Sequence, residues 1–172
     1  MKKHKIEIKW AFIYAAMFLL WMTLEKLTGL HDRYLEQQQT FTTLILIPSI
    51  LIYVLTLLDK KKNFYGGNMT YKQSFISGLM LTIFMVILSP INQLITSYVI
   101  SPDYFANEIE YTVRKGMFTQ QQAEQQFNVK NYIIISIVAG LITGAAFSAI
   151  ISLFTRSKNQ QSWVRQTRST SF

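Results

Sequence analysis

The chain has no cysteine, which rules out a disulfide framework and any thiolate metal site. Charge is scarce as well: 15% of residues are Asp, Glu, Lys or Arg, while half are apolar. That balance is poor for a water-soluble domain and points to a bilayer. Only two histidines occur, His4 and His31. No His-Glu-x-x-His, Gly-x-Ser-x-Gly or phosphate-binding glycine loop is present, so no catalytic, cofactor-binding or metal-ligating residue is assigned. His31 and Asp32 read as solvated loop. Prolines number three, and two of them, Pro48 and Pro90, fall inside apolar runs, where each is expected to kink a helix.

What is abundant is long apolar sequence. A helix crossing about 30 Å of hydrocarbon needs roughly 20 apolar residues. Four stretches approach or exceed this, at about 10–28, 41–58, 74–98 and 132–154. The 172 residues therefore read as one all-α, polytopic membrane domain over 1–155, followed by a basic tail at 156–172. The net charge of +8 would suit nucleic acid if it lay on one face. Instead the basic residues fall in blocks between apolar runs, so no nucleic-acid partner is expected. Twelve of them lie at the N-terminus (Lys2, Lys3, Lys5, Lys9), the second connection (Lys60, Lys61, Lys62, Lys72) and the tail (Arg156, Lys158, Arg165, Arg168). The positive-inside bias then places both termini in the cytoplasm. Trp163 in the tail could dip into the interface.

Small residues recur every fourth position in two spans. The third has Ser74, Gly78 and Thr82, the fourth Gly140, Gly144, Ser148 and Ser152. Such rows let helix backbones approach closely. Counted at about 1.5 Å per residue, the rows fall at matching depths, so the two spans are expected to meet in the cytoplasmic half. A homodimer seam is the other use of such rows.

The third span also contains "SPINQ", residues 89–93. Pro90 lacks an N–H, which frees the carbonyl of Val86, and Ser89 and Asn92 are near enough to satisfy it. With Glu25 near the outer end of the first span and Ser49 beside Pro48, the sequence suggests an outer polar crevice of Glu25, Ser49, Ser89, Asn92 and Gln93. A plainer alternative leaves Glu25 as an interfacial anchor and SPINQ as the last turns before water.

Residues 101–131 form an outer segment of two short helices. Ser101 reads as the N-cap of the first and Pro102 as its first helical position. Phe105, Ile109, Val113 and Met117 make an apolar stripe expected to face the bundle or the headgroups. Gly116 is a stop, and Thr119 with Gln122 has capping-box spacing.

The stretches "GGNMTYKQSFISGLMLTIF" and "YVISPDYF", the Gln/Glu-rich outer segment and the glycine-containing last span together resemble a bacterial family known as domain of unknown function 4199. The resemblance implies a small, four-span inner-membrane protein of mostly Bacteroidota origin, and implies no activity, cofactor or catalytic residue. The SPINQ turn and the long basic tail depart from it. The expectation is therefore a non-catalytic accessory, assembly or scaffold protein, in contact with lipid and with itself or a membrane-protein partner. The alternative is a small transporter or ligand-binding protein that uses the outer crevice.

Overall fold

The computed structural model describes residues 2–157; Lys158, Trp163, Arg165 and Arg168 of the basic tail lie outside them. A single 3₁₀ turn, Lys2–His4, leads into α1 (Lys5–Leu27). The rest of the chain forms α2 (Leu35–Thr43), α3 (Leu46–Asn63), α4 (Tyr71–Ile95), a π turn (Thr96–Ile100), α5 (Tyr104–Arg114), α6 (Gln120–Gln126) and α7 (Val129–Thr155). No strand occurs among the described residues. Four helical units are long and apolar enough to cross a membrane: α1, α2 with α3, α4 with its π turn, and α7. The protein is a multi-pass membrane protein.

Local signals account for the element ends. Thr70 accepts a hydrogen bond from the Gln73 N–H while the Gln73 side chain accepts one from the Thr70 N–H, a capping box that starts α4. Asn128 caps α7 by accepting from the Asn131 N–H. Pro48 sits in the first turn of α3 rather than inside a continuous helix. Having no N–H to offer Leu44, it leaves that carbonyl to accept from Ile47 at 3.0 Å. The break between α2 and α3 falls at Leu44 and Ile45. Pro90 lies within α4, which continues past it, because the Ser89 hydroxyl donates to the Val86 carbonyl at 2.9 Å and so replaces the lost bond.

Successive spans run in opposite directions, so the bundle has a terminal end, with the start of α1 and the end of α7, and a cap end. The main seam joins α4 to α7 as an antiparallel ladder of small residues. Ser74 meets Thr155, hydroxyl to hydroxyl at 2.8 Å. A Cβ on Gly78 would stand 2.6 Å from Ser148 Oγ, and one on Gly144 would collide with Thr82 and come 2.7 Å from the Tyr53 hydroxyl. One on Gly140 would come 3.2 Å from Val86. Only hydrogen fits at Gly78 and Gly144, and that is why these backbones touch. Ser148 and Ser152 are fully buried in the seam. At the terminal end, the last described residue ties the connection before α4 to α7: Ser157 Oγ accepts from the Met69 N–H at 3.0 Å and donates to the Gly67 carbonyl at 3.2 Å.

The outer segment departs from expectation at its start. Ser101 is not an N-cap. Its N–H closes the π turn on the Thr96 carbonyl at 2.8 Å and its own carbonyl accepts from Tyr104, so α5 begins two residues later, with Asp103 as its N-cap. The most buried face of α5 is not its apolar stripe. Its buried residues are Glu108 and Thr112, and Met117 is exposed. Polar contacts to the α1–α2 loop stand beside the apolar ones: Phe105 packs edge-on against Tyr132 of α7 with centroids 5.0 Å apart, and Ile109 and Val113 are half-buried. Gly116, at φ +69°, follows α5 as a stop, and the Thr119–Gln122 capping box starts α6.

Candidate functional site

Above the tight part of the α4–α7 ladder the four long helices separate, and a cavity of about 220 Å³ lies between α1, α3, α4 and α7. Ser89, Asn92 and Gln93 of α4 line it together with Ser49 of α3. Thus four of the five residues grouped on sequence line the same cavity. Each is there for a local reason. Pro90 keeps the Ser89 hydroxyl on the Val86 carbonyl, and one turn on Asn92 Nδ2 reaches across to the Ala15 carbonyl of α1 at 3.5 Å. Gln93 Nε2 donates to Ser97 Oγ at 3.0 Å. Ser49 donates to the Ile45 carbonyl at 2.7 Å, the group that the break before α3 leaves at a helix start.

The sequence reading missed Tyr14, Tyr53, Ser136 and Thr143, which also line the cavity. Ser136 continues the every-fourth row of Gly140, Gly144, Ser148 and Ser152 by one step, a signal that was legible. Tyr14 and Tyr53 had none, since an isolated tyrosine in an apolar run reads equally well as an interfacial anchor. The floor of the cavity is the tightest contact in the bundle. The Thr82 hydroxyl donates to the Gly78 carbonyl at 3.0 Å, so Tyr53 must donate to Thr82 Oγ1, 2.7 Å away, directly against Gly144.

Glu25 is not part of this wall. It is buried in a separate polar cluster at the cap end, where Trp21 Nε1 donates to Oε1 at 2.5 Å and Thr42 Oγ1 donates to Oε2 at 2.9 Å. His31 Nε2 lies 3.2 Å from the same Oε2. His31, expected in solvated loop, is 2% exposed. Its ring packs against Tyr104 with centroids 5.1 Å apart, and Asn107 of α5 donates to its carbonyl at 3.0 Å. Nδ1 of His31 is buried without a hydrogen-bond partner among the described residues. The Tyr104 hydroxyl lies 3.3 Å from that of Tyr132 and 3.5 Å from Glu108 Oε1. Burial pushes the Glu108 carboxyl up, with the Tyr104 hydrogen bond and the nearby His31 opposing it. Burial also pushes the Tyr104 phenol up. In the adjoining loop the Arg33 N–H, and then Lys26, hold the exposed Asp32 carboxyl low. The cluster fastens the outer helix to the first loop.

A third polar group lies at the terminal end. Lys60 belongs to the basic connection by sequence, yet its side chain is 2% exposed and pairs with Glu7, 1% exposed, at 2.8 Å. Lys60 Nζ also donates to the Lys3 carbonyl and stands 4.1 Å from the centre of the Phe64 ring. Beside it Asp59 accepts from Lys9, from Trp10 Nε1 at 2.7 Å and from Asn63 at 2.7 Å. No cluster of three or more potential metal-ligating carboxylates or histidines occurs among the described residues. Of the three polar groups, the cavity between the long helices offers a mainly apolar space of about 220 Å³, while a charged surface hollow of about 330 Å³, lined by Asp32, Glu36, Asn107 and Arg114, adjoins the cap cluster.

The family model described as "Protein of unknown function (DUF4199)" matches residues 9–157. No curated protein and no solved structure matches the chain.

Proposed function

Because the chain belongs to the DUF4199 family, whose membership transfers no activity, we propose from geometry that it is a non-catalytic protein of the bacterial inner membrane that holds a small amphipathic molecule inside its helix bundle. The observation that carries this reading is the cavity. At about 220 Å³ it exceeds the roughly 150 Å³ that suffices to hold a benzene ring. Its wall is mainly apolar, with polar groups contributed by each of the four helices around it, a make-up that suits a small-molecule site. Among the described residues, the titratable side chains on it are Tyr14 and Tyr53, which suits binding rather than chemistry. Leu46 and Ala139 line the cavity and are exposed, so the opening faces sideways, towards lipid.

Orientation is part of the same proposal. The basic blocks at the N-terminus, the second connection and the tail support cytoplasmic termini and an outer cap. The absence of native cysteine makes this simple to test. With single cysteines in intact cells, Gln121→Cys should react with a membrane-impermeant maleimide and Lys62→Cys should not; the reverse pattern refutes the orientation.

The ligand reading is tested by purifying the chain in mild detergent and identifying retained lipids by mass spectrometry. Ala139→Phe should fill the cavity from its rim and remove the retained species while leaving the elution profile unchanged. Equal retention by the variant sinks the reading. An accessory or scaffold role is the second reading. It draws support from α7, whose apolar window is 11% buried, against 33% in α4, leaving a face open to a partner helix as well as to lipid.

A further inference from the structure

The ligand's headgroup class follows from which hydrogen-bonding atoms on the cavity wall are already used. This step rests on the ligand-binding reading above. The hydroxyl protons of Ser49, Ser89 and Ser136 are all donated to carbonyls of their own helices, those of Ile45, Val86 and Ile133. Tyr53 donates to Thr82, and Thr82 to Gly78. What these oxygens still offer are lone pairs.

Asn92 adds a stronger acceptor. The Ala15 carbonyl can only accept, so it fixes the amide with its NH₂ towards α1. Oδ1 of Asn92 then has no hydrogen-bond partner among the described residues, and the same holds for Gln93 Oε1, whose NH₂ is engaged by Ser97. The hydroxyl protons of Tyr14 and Thr143, both on the wall, are not committed in these bonds. The wall therefore offers free acceptors, above all the two amide oxygens, together with a few free donors: the Tyr14 and Thr143 hydroxyls and the second N–H of each amide. No charged side chain lines it among the described residues.

Both facts select the occupant. An ionised headgroup between helices would need a counter-charge that this wall does not supply. A neutral head with only acceptors, such as an ester or ether, would leave the amide oxygens unpaired, and an unmade hydrogen bond at a buried group is costly. We infer that the cavity takes an uncharged amphiphile whose head donates hydrogen bonds, a long-chain or isoprenoid alcohol, with the hydroxyl between Asn92 and Gln93 and the chain leaving past Ala139 and Leu46. The volume admits the head and the first part of a chain. The remainder lies along the bundle in lipid.

The test uses the full chain in phosphatidylcholine nanodiscs and three matched probes: 1-hexadecanol, its methyl ether and palmitate. Native mass spectrometry or a saturable thermal shift reads binding. Hexadecanol should bind about tenfold tighter than the ether, the equivalent of one net hydrogen bond, and tighter than palmitate. Asn92→Leu should erase the difference between alcohol and ether. The comparison of probes on the unaltered protein needs no variant to fold. Equal binding of alcohol and ether, or preference for palmitate, with all binding lost in Ala139→Phe, overturns the headgroup assignment and leaves the cavity reading standing. No saturable binding of any probe, or binding indifferent to Ala139→Phe, overturns both.

Discussion

Removing one member of the Glu7–Lys60 pair should destabilise the bundle far more than removing both. At 2.8 Å and an effective dielectric constant near 20, the Coulomb attraction is about 6 kcal/mol, which bounds the effect. Breaking a buried pair from one side usually costs about 3–5 kcal/mol, since a charge is left without its partner. Lys60→Met leaves Glu7 with only His4 nearby, at 3.9 Å. Glu7→Ala leaves Lys60 with a backbone carbonyl and the Phe64 ring. The double change, Glu7→Leu with Lys60→Met, replaces the pair by apolar volume and should stay within about 1 kcal/mol of the parent. For a chain of this size about 2–4 °C of melting temperature corresponds to 1 kcal/mol, so each single variant should lose about 6–20 °C. Thermal unfolding in detergent, followed by tryptophan fluorescence and size exclusion, measures all three. Single losses below about 1 kcal/mol, the worth of an exposed pair, would refute the reasoning, as would a double variant as unstable as the sum of the singles.

Two other changes probe the seam and the cap. Gly144→Ala drives a methyl group into Thr82 and Tyr53 and should cost about 1–3 kcal/mol as overpacking; an unchanged melting temperature would mean that α4 and α7 do not meet here. Glu108 gives a pH dependence. Because burial raises its carboxyl, the folded cap holds the proton more firmly than the unfolded chain does. Its contribution is full below the ordinary glutamate value of about 4.3 and is lost as pH rises through the raised folded value. Glu108→Gln should therefore stabilise α5 at pH 7.5, measured by amide exchange, and lose that advantage at pH 4. A variant that exchanges faster at pH 7.5 would contradict this.

The parts of the molecule that could be read from the chain are those whose physics is local. Span lengths, the Thr119–Gln122 box and the use of Ser89 to satisfy Val86 each depend on residues within one helix. The Gly78 and Gly144 rows were legible because the membrane supplies a common ruler for two separate helices. What could not be read were charges near span ends. Glu7, Glu25 and Lys60 all stand where a solvated anchor is the ordinary expectation, and each is buried by a partner from another helix or loop: Lys60, then Thr42 and His31, then Glu7. Nothing in the neighbouring sequence of either member announces such a pairing. Ser101 shows the converse failure. Its spacing suits an N-cap, but its hydroxyl is buried without a partner among the described residues and α5 starts after Asp103 instead.

The contact of Tyr53, Thr82 and Gly144 closes the base of the central chamber. A molecule entering sideways from the bilayer would reach a base where hydroxyl, methyl and bare backbone are in close contact. Any carriage across the membrane would require prising apart the seam that holds the third and fourth spans together, and the same two glycines that let those helices close would be where such a motion was resisted.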